Sequence, residues 1–160
     1  MCPGNKNRDD DDPTKVWYAG IADGIQNILT NSPLNEGKKA LVRSLAGEYD
    51  KDAIRAKLNG YIDNNKVLML SFVTWPFCIK AKAILDNDVG CKYEVVELDQ
   101  IEEGKAIRAE MADVIGRTSV PAIWIGGAFI GGCNDGPTGG LVKLNESGEL
   151  RSLLVSAGAL

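Results

Sequence analysis

The chain has 160 residues, 44% hydrophobic and 25% charged, the balance of a globular domain with an appendage. No apolar run approaches the roughly 18 residues of a membrane span, and a net charge of −4 gives none of the basic footprint of a general nucleic-acid binder. Histidine is absent, which excludes Ser-His-Asp and Cys-His nucleophile systems and His-containing zinc sites, and leaves cysteine or lysine for any nucleophilic chemistry.

Residues 1–14 are polar and carry the run Asp9 to Asp12, closed by Pro13. Such a run buries no apolar surface and reads as a disordered acidic tail. Met1 is followed by polar residues, which is not the pattern of a signal peptide. The four cysteines, Cys2, Cys78, Cys91 and Cys133, form no C-x-x-C pair, so a zinc ribbon is not expected. The expected setting is reducing and cytoplasmic; a processed organellar form would have the same composition.

Residues 15–63 have a helical period. Val16, Ile21, Ile25, Ile28 and Leu29 make one stripe, stopped by Asn31-Ser32-Pro33. A second stretch carries Leu34, Leu41, Val42 and Leu45 and ends at Gly47. A third starts at Asp50, a candidate N-cap, and carries Ile54, Leu58, Tyr61 and Ile62. This segment holds no chemical motif and reads as a helical extension, either packed on the main domain or recruiting a partner.

The pattern changes after Asn64. Val67 to Phe72 is a continuous apolar run of strand length, as in a strand buried on both faces. Phe77 to Asp86 reads as helix, Tyr93 to Leu98 as a second strand, and Ile101 to Ile115 as a second helix. Ala122–Ile125 and Ala128–Ile130 read as strands joined by Gly126-Gly127, a two-residue hairpin signal. Leu141, Val142 and Leu144, then Leu150, Leu153 and Leu154, close the chain with helix. The prediction is an α/β domain over residues 64–160, with a four-stranded mixed sheet covered by helices.

Three motifs within that order resemble the glutaredoxin family of the thioredoxin fold. Thr74-Trp75-Pro76-Phe77-Cys78-Ile79-Lys80-Ala81-Lys82 resembles the family's C-P-Y/F-C-x-x-A-K segment at a strand-to-helix turn. Arg117-Thr118-Ser119-Val120-Pro121 is similar to its T-V-P turn with a cis-proline. Ile125 to Asp135 resembles its F-I-G-G-x-x-I-G-G-C-D-D block. The resemblance implies glutathione-dependent thiol–disulfide exchange with glutathionylated or disulfide-containing proteins as partners. It further implies a glutathione site at Phe77, Val120, Pro121, Gly132, Cys133, Asn134 and Asp135. Val120 would pair with the peptide backbone of glutathione. The helix opened by Gly131-Gly132 would offer N–H groups to its γ-glutamyl end, and Asp135 would take the ammonium. Asn134 stands where the family often has an acid. Phe72 stands where it often has a lysine for the glycine carboxylate; Arg117, Lys80 and Lys82 are the candidate replacements, Arg117 first among them.

The first motif departs from the family pattern. Counting from Ser71, Trp75 falls at the first cysteine and Cys78 at the second. A tryptophan preceding a deleted first cysteine is an alternative alignment, and it too leaves Cys78 as the second. Either Cys78 works alone by a monothiol route, or the domain binds glutathione or protein with little catalysis, or Trp75 is a sequence variant. An iron–sulfur cluster is not expected, because the family holds one through the first cysteine and cluster iron needs thiolate ligands. Cys91 reads as a structural thiol.

Overall fold

The computed structural model describes residues 34–160. The acidic run and the stripe from Val16 to Leu29 lie outside the described residues. Two helices come first, α1 (Leu34–Ala46) and α2 (Lys51–Asn64). Asp50 caps α2, its carboxylate accepting from the Ala53 N–H at 3.0 Å. The order then runs β1 (Val67–Ser71), α3 (Pro76–Ala83), a π-helical turn over Ile84–Val89, β2 (Glu94–Glu97), α4 (Gly104–Ile115), β3 (Ala122–Ile125), β4 (Ala128–Gly131), α5 (Leu141–Glu146) and α6 (Glu149–Ser156).

The strands form one sheet in the order β2-β1-β3-β4. β1 is parallel to β2, with Ser71 opposite Glu97, and antiparallel to β3. Every residue of β1 is buried, because helices cover both faces. On one face Val67, Met69, Ile123 and Ile125 pack against Phe77, Ala81 and Leu85 of α3 and its extension, and against Leu141, Leu150 and Leu154. On the other, Leu68, Leu70, Ala122 and Trp124 pack against Ile54 and Leu58 of α2 and Ile107 and Met111 of α4. The β3–β4 turn uses Gly126 and Gly127 at φ values of 59° and 81°, the left-handed pair that a tight hairpin requires.

Two sequence expectations are displaced. The second helix starts at Gly104 rather than Ile101. Gly104 is buried with its Cα against the Leu98 carbonyl, where a Cβ would collide, so β2 and α4 approach to backbone contact. In α1, Val42 is buried, whereas Leu34, Leu41 and Leu45 are exposed.

α1 and α2 are fastened to α4 by charge. Glu110, 1% exposed, accepts from the Arg55 Nε at 2.7 Å and from the Tyr49 hydroxyl at 2.7 Å. Asp113 on the same helix pairs with Arg43 and Lys51. Burial, with Glu110 beside it, pushes the Tyr49 hydroxyl up to about 12.

Candidate active site and ligand cleft

The candidate thiol sits where β1 turns into α3. Trp75 is the N-cap residue of α3 and has extended backbone geometry, and Pro76 occupies the first turn, where a missing N–H costs nothing. The Cys78 N–H closes the turn on the Trp75 carbonyl at 3.0 Å. This places Cys78 inside the first helical turn with its side chain directed inward. It is fully buried, among Leu70, Val120 and Trp124, and half-buried Trp75 packs on the same cluster. The Phe72 N–H reaches its sulfur at 3.5 Å. Burial pushes the Cys78 thiol up. The Phe72 N–H, the Ser71 hydroxyl and Lys82 pull the other way and only partly offset it.

The loop that carries this turn is held in place. The Val73 N–H donates to both oxygens of Asp99, each at 3.2 Å. The Trp75 and Phe77 rings lie 6.0 Å apart, tilted by 44°. Val73 and Ile79, in the same stretch of chain, are exposed.

Beside the thiol, a small cleft is lined by Phe77, Arg117, Val120, Pro121, Cys133, Asn134 and Asp135. The fold thus brings together seven residues drawn from three separated segments. Val120–Pro121 is a cis peptide bond. Gly132 lies under the cleft, and a Cβ there would strike the Arg117 guanidinium and the Asp135 carboxylate.

Two expectations for this cleft change. Arg117 is engaged within the protein as well as lining the cleft. It is 4% exposed and forms a two-pronged ion pair with Asp135, 9% exposed, with Nη1 and Nη2 donating at 2.7 and 2.9 Å. Its Nε donates to the Ser119 carbonyl at 3.0 Å and its Nη2 to the Pro121 carbonyl at 3.3 Å. Arg117 therefore ties the cis-proline segment to the 132–135 segment, and the Asp135 carboxylate is already matched. Nor does Gly131-Gly132 open a helix directly. α5 starts at Leu141, and its first N–H groups are taken by carbonyls: Leu141 donates to Gly132 at 3.0 Å and Val142 to Cys133 at 2.9 Å. The α5 N-terminus clamps the loop.

Sequence reasoning missed Arg108. It lies on α4 with its guanidinium 5.2 Å from the centre of the Phe72 ring, and its Nε donates to the Thr118 carbonyl at 2.7 Å. Burial holds its guanidinium below the usual arginine range. It lines a larger apolar cavity with Val42, Leu45, Phe72, Leu98 and Gly104. No motif marks it. Its helical spacing alone would have placed it on the face next to Ile107.

A sequence profile described as glutaredoxin matches residues 67–130. A glutaredoxin of Ricinus communis is 38% identical over 104 residues, spanning 65% of this chain and 96% of that protein. Glutaredoxin-C2 of Arabidopsis thaliana is 33% identical over 104 residues, spanning 65% of this chain and 88% of that protein. Among solved structures, a buckwheat glutaredoxin–glutathione complex superposes with a TM-score of 0.63 at 28% identity, over 69% of this chain and 94% of that one. The holo form of glutaredoxin C1 from Populus tremula x tremuloides gives 0.62 at 33% identity, over 69% and 94%.

Proposed function

The chain belongs to the glutaredoxin family, and from that premise we propose that it is a slow, glutathione-dependent thiol–disulfide oxidoreductase working by a monothiol route through Cys78. The observation that carries this reading is the single cleft formed by Phe77, Val120, Pro121, Cys133, Asn134 and Asp135 next to the Cys78 turn. The superposable buckwheat protein was solved with glutathione, which supports the same ligand here. In this reading Trp75 occupies the position of the family's first cysteine.

The ligand pose follows from the chain's own groups. Val120, just before the cis-proline, pairs with the glutathione backbone. The 133–135 segment receives the γ-glutamyl end, with Asp135 held in place by Arg117. Arg108, at the Phe72 face and beside Thr118, supplies a cation for the glycine carboxylate.

The Cys78 thiolate attacks the glutathionyl sulfur of a mixed disulfide. The substrate leaves as a thiolate and takes up a proton, and Cys78 carries the glutathionyl group. A second glutathione thiolate attacks that sulfur, releasing oxidised glutathione and the Cys78 thiolate. Burial makes the first attack slow, because the thiolate fraction is small and the sulfur must be uncovered. Cluster iron takes thiolate ligands. With a half-buried Trp75 in place of the first cysteine and Cys78 buried, the residues present do not fit an iron–sulfur cluster.

A second reading is favoured by the same burial: a glutathione- or protein-binding module with no turnover. Turnover of a glutathionylated peptide by wild type and by Cys78→Ser, beside calorimetric titration of glutathione, separates the two. Wild-type turnover lost in Cys78→Ser supports the enzyme. Binding without turnover leaves the module, and turnover retained by Cys78→Ser sinks the site assignment.

A further inference from the structure

Cys78, Lys82 and Glu97 form a cluster that the cleft does not use. Cys78 and Lys82 are one helical turn apart on α3, so their side chains lie on the same face. Glu97 ends β2 directly opposite Ser71, the last residue of β1, and α3 lies over that end of the sheet. Lys82 ion-pairs with Oε1 of Glu97, and both side chains are 22% exposed. The other oxygen, Oε2, is buried and has no hydrogen-bond partner among the described residues. A carboxylate in this position ordinarily fills both oxygens. Lys82 is therefore held by half of a carboxylate, one helical turn from a buried sulfur.

Among the described residues the Phe72 N–H reaches that sulfur at 3.5 Å, and Lys82 and Glu97 are the charged side chains whose fields act on it. Arg108 lies beyond the Phe72 ring. If Cys78 ionises while Lys82 stays on Glu97, two anions share one cation in a poorly solvated space, which is costly. If Lys82 turns toward the sulfur, the thiolate has a cation beside the Phe72 N–H, and Glu97, with its side chain 22% exposed, gives up its partner. Lys82 is one helical turn from Cys78 on the same helix, and its flexible stem gives the ammonium freedom to turn.

We propose that Lys82 is the counter-cation of the Cys78 thiolate and that Glu97 competes with the sulfur for it, so that this pair sets how much of Cys78 is nucleophilic. Both are positioning residues, acting through Cys78 rather than on substrate. The inference rests on the reading of Cys78 as the working thiol. It adds that the thiol is restrained by a particular carboxylate as well as by burial.

The test is the pH dependence of Cys78 alkylation by iodoacetamide in the full chain, read by site-resolved mass spectrometry, with Cys91 as an internal reference. Glu97→Gln is expected to lower the pH midpoint of Cys78 and raise its rate at pH 8 at least threefold. Lys82→Met is expected to raise the midpoint and slow the reaction by a similar factor, and Lys82→Arg to retain wild-type behaviour. Cys91 should not change in any variant. The proposal is overturned if neither substitution moves the midpoint, if both move it the same way, or if native Cys78 stays unmodified up to pH 10. A rate change shared by Cys91 also overturns it, since that reports general loosening of the fold. Turnover of a glutathionylated peptide is measured in parallel. Midpoints that move as expected without turnover sink the exchange reading and leave this one. Turnover with unmoved midpoints does the reverse.

Discussion

Asp135→Asn tests the buried ion pair that joins the two halves of the cleft. In the native chain both Asp135 oxygens receive Arg117 donors at 2.7 and 2.9 Å, and both residues are more than nine-tenths buried. An asparagine keeps the shape but turns an amide NH2 toward guanidinium donors, and leaves the cation uncompensated. Breaking a buried pair by removing one partner costs about 3–5 kcal/mol. At about 2–4 °C per kcal/mol for a chain of this size, the lower figure lowers the melting temperature by about 6–12 °C. Glutathione affinity should fall too, because Arg117 also fixes the Ser119 and Pro121 carbonyls. The double variant Arg117→Met/Asp135→Leu removes both charges, and such replacements are often close to neutral in stability. It should recover most of the melting temperature without recovering affinity. The assays are thermal melts followed by circular dichroism and calorimetric titration of glutathione. An Asp135→Asn melt within about 2 °C of wild type would refute the reasoning, by showing that water or another group balances Arg117.

Four further outcomes are expected. Gly132→Ala should lose glutathione affinity and melt lower, because its Cβ strikes both members of that pair; unchanged affinity in titration would contradict it. Trp75→Cys should raise glutathionyl-exchange activity at pH 7 by roughly tenfold or more, since a cysteine at a helix N-terminus is exposed and has a depressed pKa; no gain in the peptide assay means Trp75 does not occupy the first-cysteine position. Arg55→Met should lower stability by about 2 kcal/mol, discounted because Arg55 is 39% exposed while Glu110 is 1% exposed; urea unfolding measures it. Stability should also fall as pH rises from about 9, the ordinary thiol value from which burial raises Cys78 and Cys91. The unfolded chain releases those protons first, so it binds fewer than the folded chain and gains population with rising pH. Urea midpoints between pH 7 and 10.5 should show this decline, and Cys91→Ala should flatten it.

The elements that short stretches of chain decide were legible in the sequence. The apolar run of β1, the glycine turn of the hairpin and the Asp50 cap each follow from local chemistry, and each appears in place. The cleft was legible as a set of residues because Phe77, Val120, Pro121 and the 132–135 segment lie in short motifs. What each side chain does there was less legible. Arg117 and Asp135 lie eighteen positions apart in irregular chain, and nothing local says that they meet rather than face a ligand. Arg108 was hidden for a similar reason: its partners, the Phe72 ring and the Thr118 carbonyl, come from two loops brought together by the sheet. Leu34, Leu41 and Leu45 show the converse, an apolar stripe that stays exposed while Val42 alone seats into the domain.

Gly104 sets a dimension of the molecule. With its Cα against the Leu98 carbonyl, the separation of α4 from the end of β2 is fixed by a hydrogen atom. The same residues frame the cavity beside Phe72, so its width is governed by a contact with no side chain in it. Arg108 stands one helical turn further along α4. A single methyl group at 104 would tilt the helix outward and draw the guanidinium off the Thr118 carbonyl. The chain therefore has a built-in gauge: the span from the thiol turn to the cation is decided by the smallest residue in the helix, at a point that touches neither.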